Sequence, residues 1–280
     1  MKLVTYMQNG AERVGALTAD EKALRPLPFG DMLAAIEAGV EALVPAGEAV
    51  ELSDVTLLAP IPRPRQDVIC LGINYRDHAQ EAARYNGEAF AKDKPTAIYF
   101  SKRVTEAVPP EGFIDSHPGL VQRLDYEAEL AVIIGKTAKN VPAEKAAEHI
   151  FGYTVLNDVS ARVLQTAHKQ WYFGKSLDGF TPMGPCIVTA DEIPFPPALP
   201  ICCRVNGELR QSSDTGLLIT GVADIIAELS AGMTLLPGTI IATGTPSGVG
   251  MGFDPPKFLK PGDVVECDIA GIGVLRNTVK

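Results

Sequence analysis

Two glutamates stand two residues apart, Glu127 and Glu129, in the stretch LDYEAELAVIIG (124–135), and five apolar residues, Leu130 to Ile134, follow directly. A branched apolar run of that length predicts a buried strand, and on a strand residues two apart share a face at roughly 6 to 7 Å. Like charges at the edge of a core repel and lose hydration unless a metal ion or a cationic side chain lies between them. The alternative is a solvated strand end whose glutamates meet surface lysines. In GYTVLNDVSARVLQ (152–165), Asp158 falls where an apolar stretch gives way to a helical pattern. There it is either the helix N-cap or a third oxygen ligand. Three carboxylates, with water in the remaining positions, suit Mg²⁺ or Mn²⁺, and Ca²⁺ is a further hard cation of the same taste. No Cys-rich or His-rich spacing points to structural zinc.

The segment GINYRDHAQEAA (72–83) opens a second helical pattern, with Asp77 expected as N-cap and Gln80 completing a capping box. His78 and Glu81 then share a face at spacing three, either as an ordinary surface pair or as a base whose carboxylate orients the imidazole to activate water. Lys175 lies in QWYFGKSLDGFTPMGP (170–185), expected to be an aromatic, proline-rich loop. It is a solvated lysine or, beside a metal, an ammonium that stabilises an oxyanion or enolate. The Gly-rich TGTPSGVGMGF (243–253) lacks the ending of a P-loop and the glycines of a nucleophile elbow, and leaves a backbone-lined anion pocket open.

These residues must be positioned by elements that the pattern outlines. Residues 1 to 60 predict a small β-rich domain with one helix, in which Met32, Ile36 and Val40 recur at spacing four. The proline-rich APIPRPRQD (59–67) reads as a stiff linker. From residue 67 to 280 short strands dominate, among them VICLGI, TAIYFS, ELAVIIG, ICCRVNG, TIIATG and VVECDIAG. Helices are expected in DHAQEAARY, AEKAAEHI, SARVLQTAHKQW and ITGVADIIAELSAG. Without a regular strand and helix alternation the class is mainly β (α+β), not a doubly wound parallel sheet.

Composition excludes other classes. The net charge is −9 with no basic stripe, so a nucleic-acid surface is not expected. The longest uncharged stretch, 229–253, is interrupted by Pro237, Pro246 and several glycines, which argues against a membrane span. The N-terminus has no apolar core with a cleavage site, and the expectation is a cytoplasmic protein. Five cysteines, none in C-x-x-C, read as reduced and mostly buried thiols.

Taken in order, GINYRDHAQE, LDYEAELAVIIGK, GYTVLNDVSAR, GKSLDGFTPMGP, VNGELRQ, ATGTPSGVG and LKPGDVVECDIAGIG resemble the fumarylacetoacetate hydrolase family over roughly residues 67 to 280. The resemblance implies a mixed β-sandwich roll, a homodimer, and a divalent metal held by Glu127, Glu129 and Asp158. It assigns Lys175 to catalysis, His78 with Glu81 to water activation, and Arg162, Gln165 and Thr245 to substrate contact. Asp158, Arg162 and Gln165 have helical spacing and so are expected to face one site. The implied activity is metal-dependent hydrolysis of a carbon–carbon bond in an acylpyruvate or other 2,4-diketo acid. Decarboxylation of oxaloacetate and keto-enol isomerisation use the same intermediate and stay open beside it. Substrate length is expected to depend on segments 78–95 and 110–124. There HPGLVQRL (117–124) is a candidate border of the pocket, with Arg123 open between that role and a surface charge.

Overall fold

The computed structural model of the chain describes residues 1–87 and 96–280, so part of the expected 78–95 lid lies outside the described residues. Strands dominate and helices are short, giving a mainly β, α+β fold. Among the described residues one sheet has eleven strands and a second has five. The large sheet runs from Val50–Glu51 through Ala23–Pro26, Ala11–Leu17 and Lys2–Gln8 to Met183–Thr189, Ile150–Asn157, Ala128–Ile134, Ile240–Ala242, Val68–Gly72 and Ile98–Lys102. Strand Lys2–Gln8 pairs with Met183–Thr189, so the N-terminal segment continues the main sheet. The proline stretch that follows it is not a loose tether. Ala59, Pro60, Ile61 and Pro62 are buried, and the Thr5 hydroxyl donates to Pro60 O at 2.7 Å.

Strand Ala128–Ile134 is buried at every position because the large sheet is covered on both faces. Leu130, Val132 and Ile134 join the core shared with the five-stranded sheet, where Ile201, Cys203 and Val265 contribute. Ala131 and Ile133 join a second core with Met32 and Ile36 of the N-terminal helix Met32–Ala38. Val40 lies beyond that helix and is only partly buried. The period of two thus divides one strand between two cores. All five cysteines are free and four are buried.

Chain direction gathers the site at one end of this sheet. Ile150–Asn157 runs antiparallel to Ala128–Ile134 with Asn157 opposite Ala128, and Ile240–Ala242 leaves the sheet beside the same end. Val68–Gly72 runs parallel to Ile240–Ala242 and exits with it. Three chains leave where the carboxylate-bearing chain enters.

Several local expectations change in the folded chain. The segment expected as one helix from Ser160 opens as strand Ser160–Ala161, paired with Leu124–Asp125, and the helix is only Arg162–Ala167 with Ala161 as its cap. Tertiary pairing outweighs helix propensity there, so Asp158 is neither an N-cap nor on a helix with Arg162 and Gln165. Lys175 ends a short helical turn, Tyr172–Lys175, where a loop was expected. The segment AEKAAEHI forms a 3₁₀ helix, Ala143–His149. Helix Arg76–Asn86 has Tyr75 at its N-cap position, two residues before the expected cap Asp77. Asp77 sits in its first turn, where the helix dipole favours an acid, and accepts from the Ser247 hydroxyl at 2.8 Å.

Candidate active site

Buried charge concentrates in one place. Among the described residues the buried carboxyl side chains are Glu81, Asp125, Glu127, Glu129 and Asp158, against Lys102, Arg162 and Lys175. Five carboxyl groups meet three cationic ones, so full ionisation would leave an excess of two negative charges where water is largely removed. Oxygens of Glu127, Glu129 and Asp158 lie within 4.8 Å of one another. Lys175 Nζ stands 2.8 Å from Glu127 Oε2 and 2.6 Å from Asp158 Oδ2, and Lys102 Nζ stands 2.8 Å from Asp158 Oδ1. Arg162 reaches Asp125 Oδ2 through Nε at 2.9 Å and Glu127 Oε1 through Nη1 at 2.7 Å.

The two glutamates of the pair differ. Burial pushes the Glu127 carboxyl up, but Lys175 and Arg162, then His78, outweigh it and hold it below the usual range. Glu129 is pushed well above that range, first by burial, then by the charges of Asp158 and Glu127. Gly244 N donates to its Oε2 at 2.8 Å. For Lys175 burial works downward, but Asp158 and Glu127 prevail and raise it. Burial dominates for Lys102 and lowers it.

A hard divalent cation fits these residues. It would remove the two-charge excess, and it would give Glu129 the positive neighbour that the lysines, placed on Glu127 and Asp158, do not supply. The donor set is all oxygen, as such a cation prefers.

Beside the carboxylates opens a cavity of about 570 Å³. Its lining includes His78, Glu127, Arg162, Gln165, Lys175 and Thr245, so it brings together residues from five separate stretches of sequence. His78 Nδ1 faces Glu81 Oε2 at 3.0 Å, and Glu81 Oε1 accepts from Gly248 N at 3.0 Å. This buried pair is not a solvated helix face. Arg162 Nη1 donates to Gln165 Oε1 at 3.1 Å, while its Nη2 is buried with no hydrogen-bond partner among the described residues. Thr245 donates to Ala128 O at 2.9 Å and accepts from Gln211 Nε2 at 2.7 Å, which locks its side chain against the strand. Every candidate named from sequence lies in or directly beside this one site.

The match to known proteins follows the same stretches. A profile described as fumarylacetoacetate (FAA) hydrolase C-terminal covers residues 67–280. The chain belongs to the fumarylacetoacetate hydrolase family. A second profile, described as Rv2993c-like, N-terminal, covers residues 1–60. Among similar members, oxaloacetate tautomerase YisK of Bacillus subtilis is 48% identical over 81% of this chain and 74% of its own length. Human mitochondrial oxaloacetate tautomerase FAHD2A is 44% identical over 81% of this chain and 70% of its own. A solved fumarylacetoacetate hydrolase from psychrophilic Exiguobacterium antarcticum superposes with a TM-score of 0.87 at 44% identity, covering 100% of this chain and 99% of that one. The 2-hydroxyhepta-2,4-diene-1,7-dioate isomerase of Mycobacterium marinum gives a TM-score of 0.80 at 34% identity, with 100% and 98% covered. Membership makes the chain an enzyme of this family. Of these relatives, two are named oxaloacetate tautomerases, one an isomerase and one a hydrolase. Among the described residues no helix is long and apolar enough to cross a membrane.

Two residues of the site went unnoticed in the sequence. Asp125 is fully buried, and its carboxylate accepts from Gly250 N at 2.6 Å, Met251 N at 3.0 Å and Arg162 Nε at 2.9 Å. Its signal was its place two residues before Glu127, in the alternation that marks the glutamates themselves. Lys102 spends its ammonium on Asp158, Val159 O and Lys175 O. A lysine closing the apolar run IYFSK is too common to have marked it.

The Gly-rich stretch is a scaffold for these groups. Gly248 holds Glu81, Gly250 and Met251 hold Asp125, and a Cβ built on Gly252 would overlap the Glu81 carboxylate.

Proposed function

We propose that this chain interconverts the keto and enol forms of a 2-oxo acid of the oxaloacetate kind. The observation that carries the reading is the buried His78–Glu81 pair, which faces the same cavity as the carboxylate cluster. A cation such as Mg²⁺ or Mn²⁺, held by Glu127, Glu129 and Asp158, would polarise a 2-oxo group and acidify the carbon beside it.

The chain's own residues then handle one proton. His78 takes it from that carbon through Nε2, because Nδ1 is turned to Glu81 Oε2, and Glu81 is itself fixed by Gly248 N. The ring stays in the tautomer that leaves Nε2 free to accept. The substrate oxygen then takes that proton from Nε2, which completes the enol and resets the base, and the reverse order gives the keto form. Lys175, kept protonated by Glu127 and Asp158, steadies the negative charge that grows on the substrate oxygen. The unpartnered Nη2 of Arg162 is a donor for the substrate carboxylate, with Gln165 and Thr245 lining the same wall. Phe100 and Trp171, in edge contact at 5.2 Å between ring centroids, line the cavity, and Phe100 lies under the Lys175 ammonium at 5.3 Å, where the rings exclude water.

Two names among the relatives support tautomerisation, and the chemistry asks least of the site. It moves a proton, whereas hydrolysis needs in addition a water aimed at a distal acyl carbon. The homodimer that the family resemblance implies belongs to the same proposal, and mass in solution tests it. The deciding experiment supplies oxaloacetate, acetylpyruvate, fumarylpyruvate and fumarylacetoacetate with Mg²⁺ and identifies products by NMR. Rapid enol-to-keto conversion of oxaloacetate without pyruvate is expected. Acetate and pyruvate from acetylpyruvate, with no effect on the oxaloacetate equilibration rate, would return the site to a hydrolase.

A further inference from the structure

We propose that Arg123, held by the Tyr85 hydroxyl at the rim of the cavity, forms a subsite for a second carboxylate and selects dicarboxylic 2-oxo acids over monocarboxylic ones. The inference rests on the 2-oxo acid reading above and adds to it the residue that sorts its substrates.

Apart from His78, three cationic side chains among the described residues line the cavity: Arg123, Arg162 and Lys175. Two are already engaged, Arg162 by Asp125 and Glu127, and Lys175 by Glu127 and Asp158. Arg123 differs. Its Nη1 donates to Tyr85 Oη at 2.7 Å, its guanidinium lies 5.9 Å from the centre of the Phe258 ring, and no carboxylate pairs with it among the described residues. A planar fork fixed along one edge leaves its other donors ready for a carboxylate at little further loss of side-chain freedom.

The backbone places this group in the same frame as the reacting end. Arg162 N donates to Arg123 O at 3.0 Å, and the next residue, Leu124, pairs with Ala161. Arg123 precedes Glu127 by four residues, which on extended chain is at most about 13 Å of backbone. One short stretch of chain thus carries groups at both the rim and the reacting end of the cavity.

Charge gives the reason for selection. With a divalent cation on the three carboxylates the interior is neutral, so the far carboxylate of a diacid would enter a cavity walled by Leu71, Ala82, Phe100, Trp171 and Met251 without a partner. A charge placed there unpaired is disfavoured, and among the described residues Arg123, exposed at the rim, is the lining cation that no carboxylate engages. A monocarboxylic acid has no group to place there and gains nothing from Arg123.

The test uses the full-length Mg²⁺-loaded protein and Arg123→Gln, with melting curves confirming that both are folded. Binding of oxaloacetate and of 2-oxobutanoate is measured by titration calorimetry, and proton exchange at the carbon beside the 2-oxo group is followed by NMR in deuterium oxide. The wild type should bind oxaloacetate at least about tenfold tighter, the gain expected of one charge-assisted pair. Arg123→Gln should lose most of that preference, and Arg123→Lys should restore part of it. A wild type without the preference, or a Gln variant that keeps it, overturns the subsite. Absence of exchange in the wild type, with the Arg123-dependent preference intact, overturns the tautomerase reading and leaves the subsite standing.

Discussion

Gly252→Ala should separate activity from stability, because what the new methyl group meets is the carboxylate of Glu81 and not backbone. That carboxylate is the end of a flexible side chain, so it yields while the loop stays. In yielding it gives up two contacts, to Gly248 N and to His78 Nδ1, each 3.0 Å long. Hydrogen bonds to a charged group contribute about 1.5 to 3 kcal/mol each, and water reaching the partly buried glycine loop restores part of that. A net loss of about 1 to 2 kcal/mol lowers Tm by roughly 2 to 8 °C in a chain of this size. The effect on turnover should be larger. Without its carboxylate His78 loses both its orientation and the preference for a free Nε2, and positioned bases contribute about 10²-fold or more. The assay is decay of enol absorbance for oxaloacetate with Mg²⁺, in Gly252→Ala, Glu81→Ala and the double variant. Gly252→Ala should lower kcat about a hundredfold, yet add less than about twofold once Glu81 is already Ala, since residues in contact do not act independently. A single variant within twofold of wild type, or a further tenfold loss in the double variant, would refute the linkage from loop to base.

Other expectations rest on the same site. Asp125→Asn removes the charged partner that holds Arg162, so KM should rise about tenfold or more while kcat changes less, which steady-state kinetics measures. Lys102→Met leaves Asp158 with one fewer counter-charge and should destabilise chelator-treated protein by about 3 to 5 kcal/mol, with Mg²⁺ recovering much of the loss in a melting experiment. Glu129 is raised, first by burial and then by Asp158 and Glu127, so metal-free protein holds a proton there where the unfolded chain has lost it. Its contribution to stability is present below the ordinary glutamate range and is lost as pH climbs through the raised value. Loading Mg²⁺ above the ordinary glutamate range should accordingly release protons, seen by calorimetry in buffers of different ionisation enthalpy. Release of none would remove Glu129 from the ligand set.

The amino-acid sequence by itself determined the parts that depend on local pattern. The alternation in YEAELAVII defines a strand with two acids at its mouth, and the run ITGVADIIAELSAG points to helix Val222–Gly232 through its apolar spacing. The spacing of His78 and Glu81 was enough to place them together on one helix face. What local pattern could not decide was ionic company. Asp158 reads equally as a cap or a ligand until strand Ser160–Ala161 pairs with Leu124–Asp125, which moves the helix start away and leaves the carboxylate to Lys102 and Lys175. Lys102 is 56 residues from Asp158, and no periodicity spans such a separation. The tertiary structure also decided that Arg123 borders the cavity and that the glycine-rich stretch grips Glu81 and Asp125. Hydrophobic period is written in neighbouring residues, whereas the balance of buried charge is settled only when distant chains meet in the same low-dielectric space.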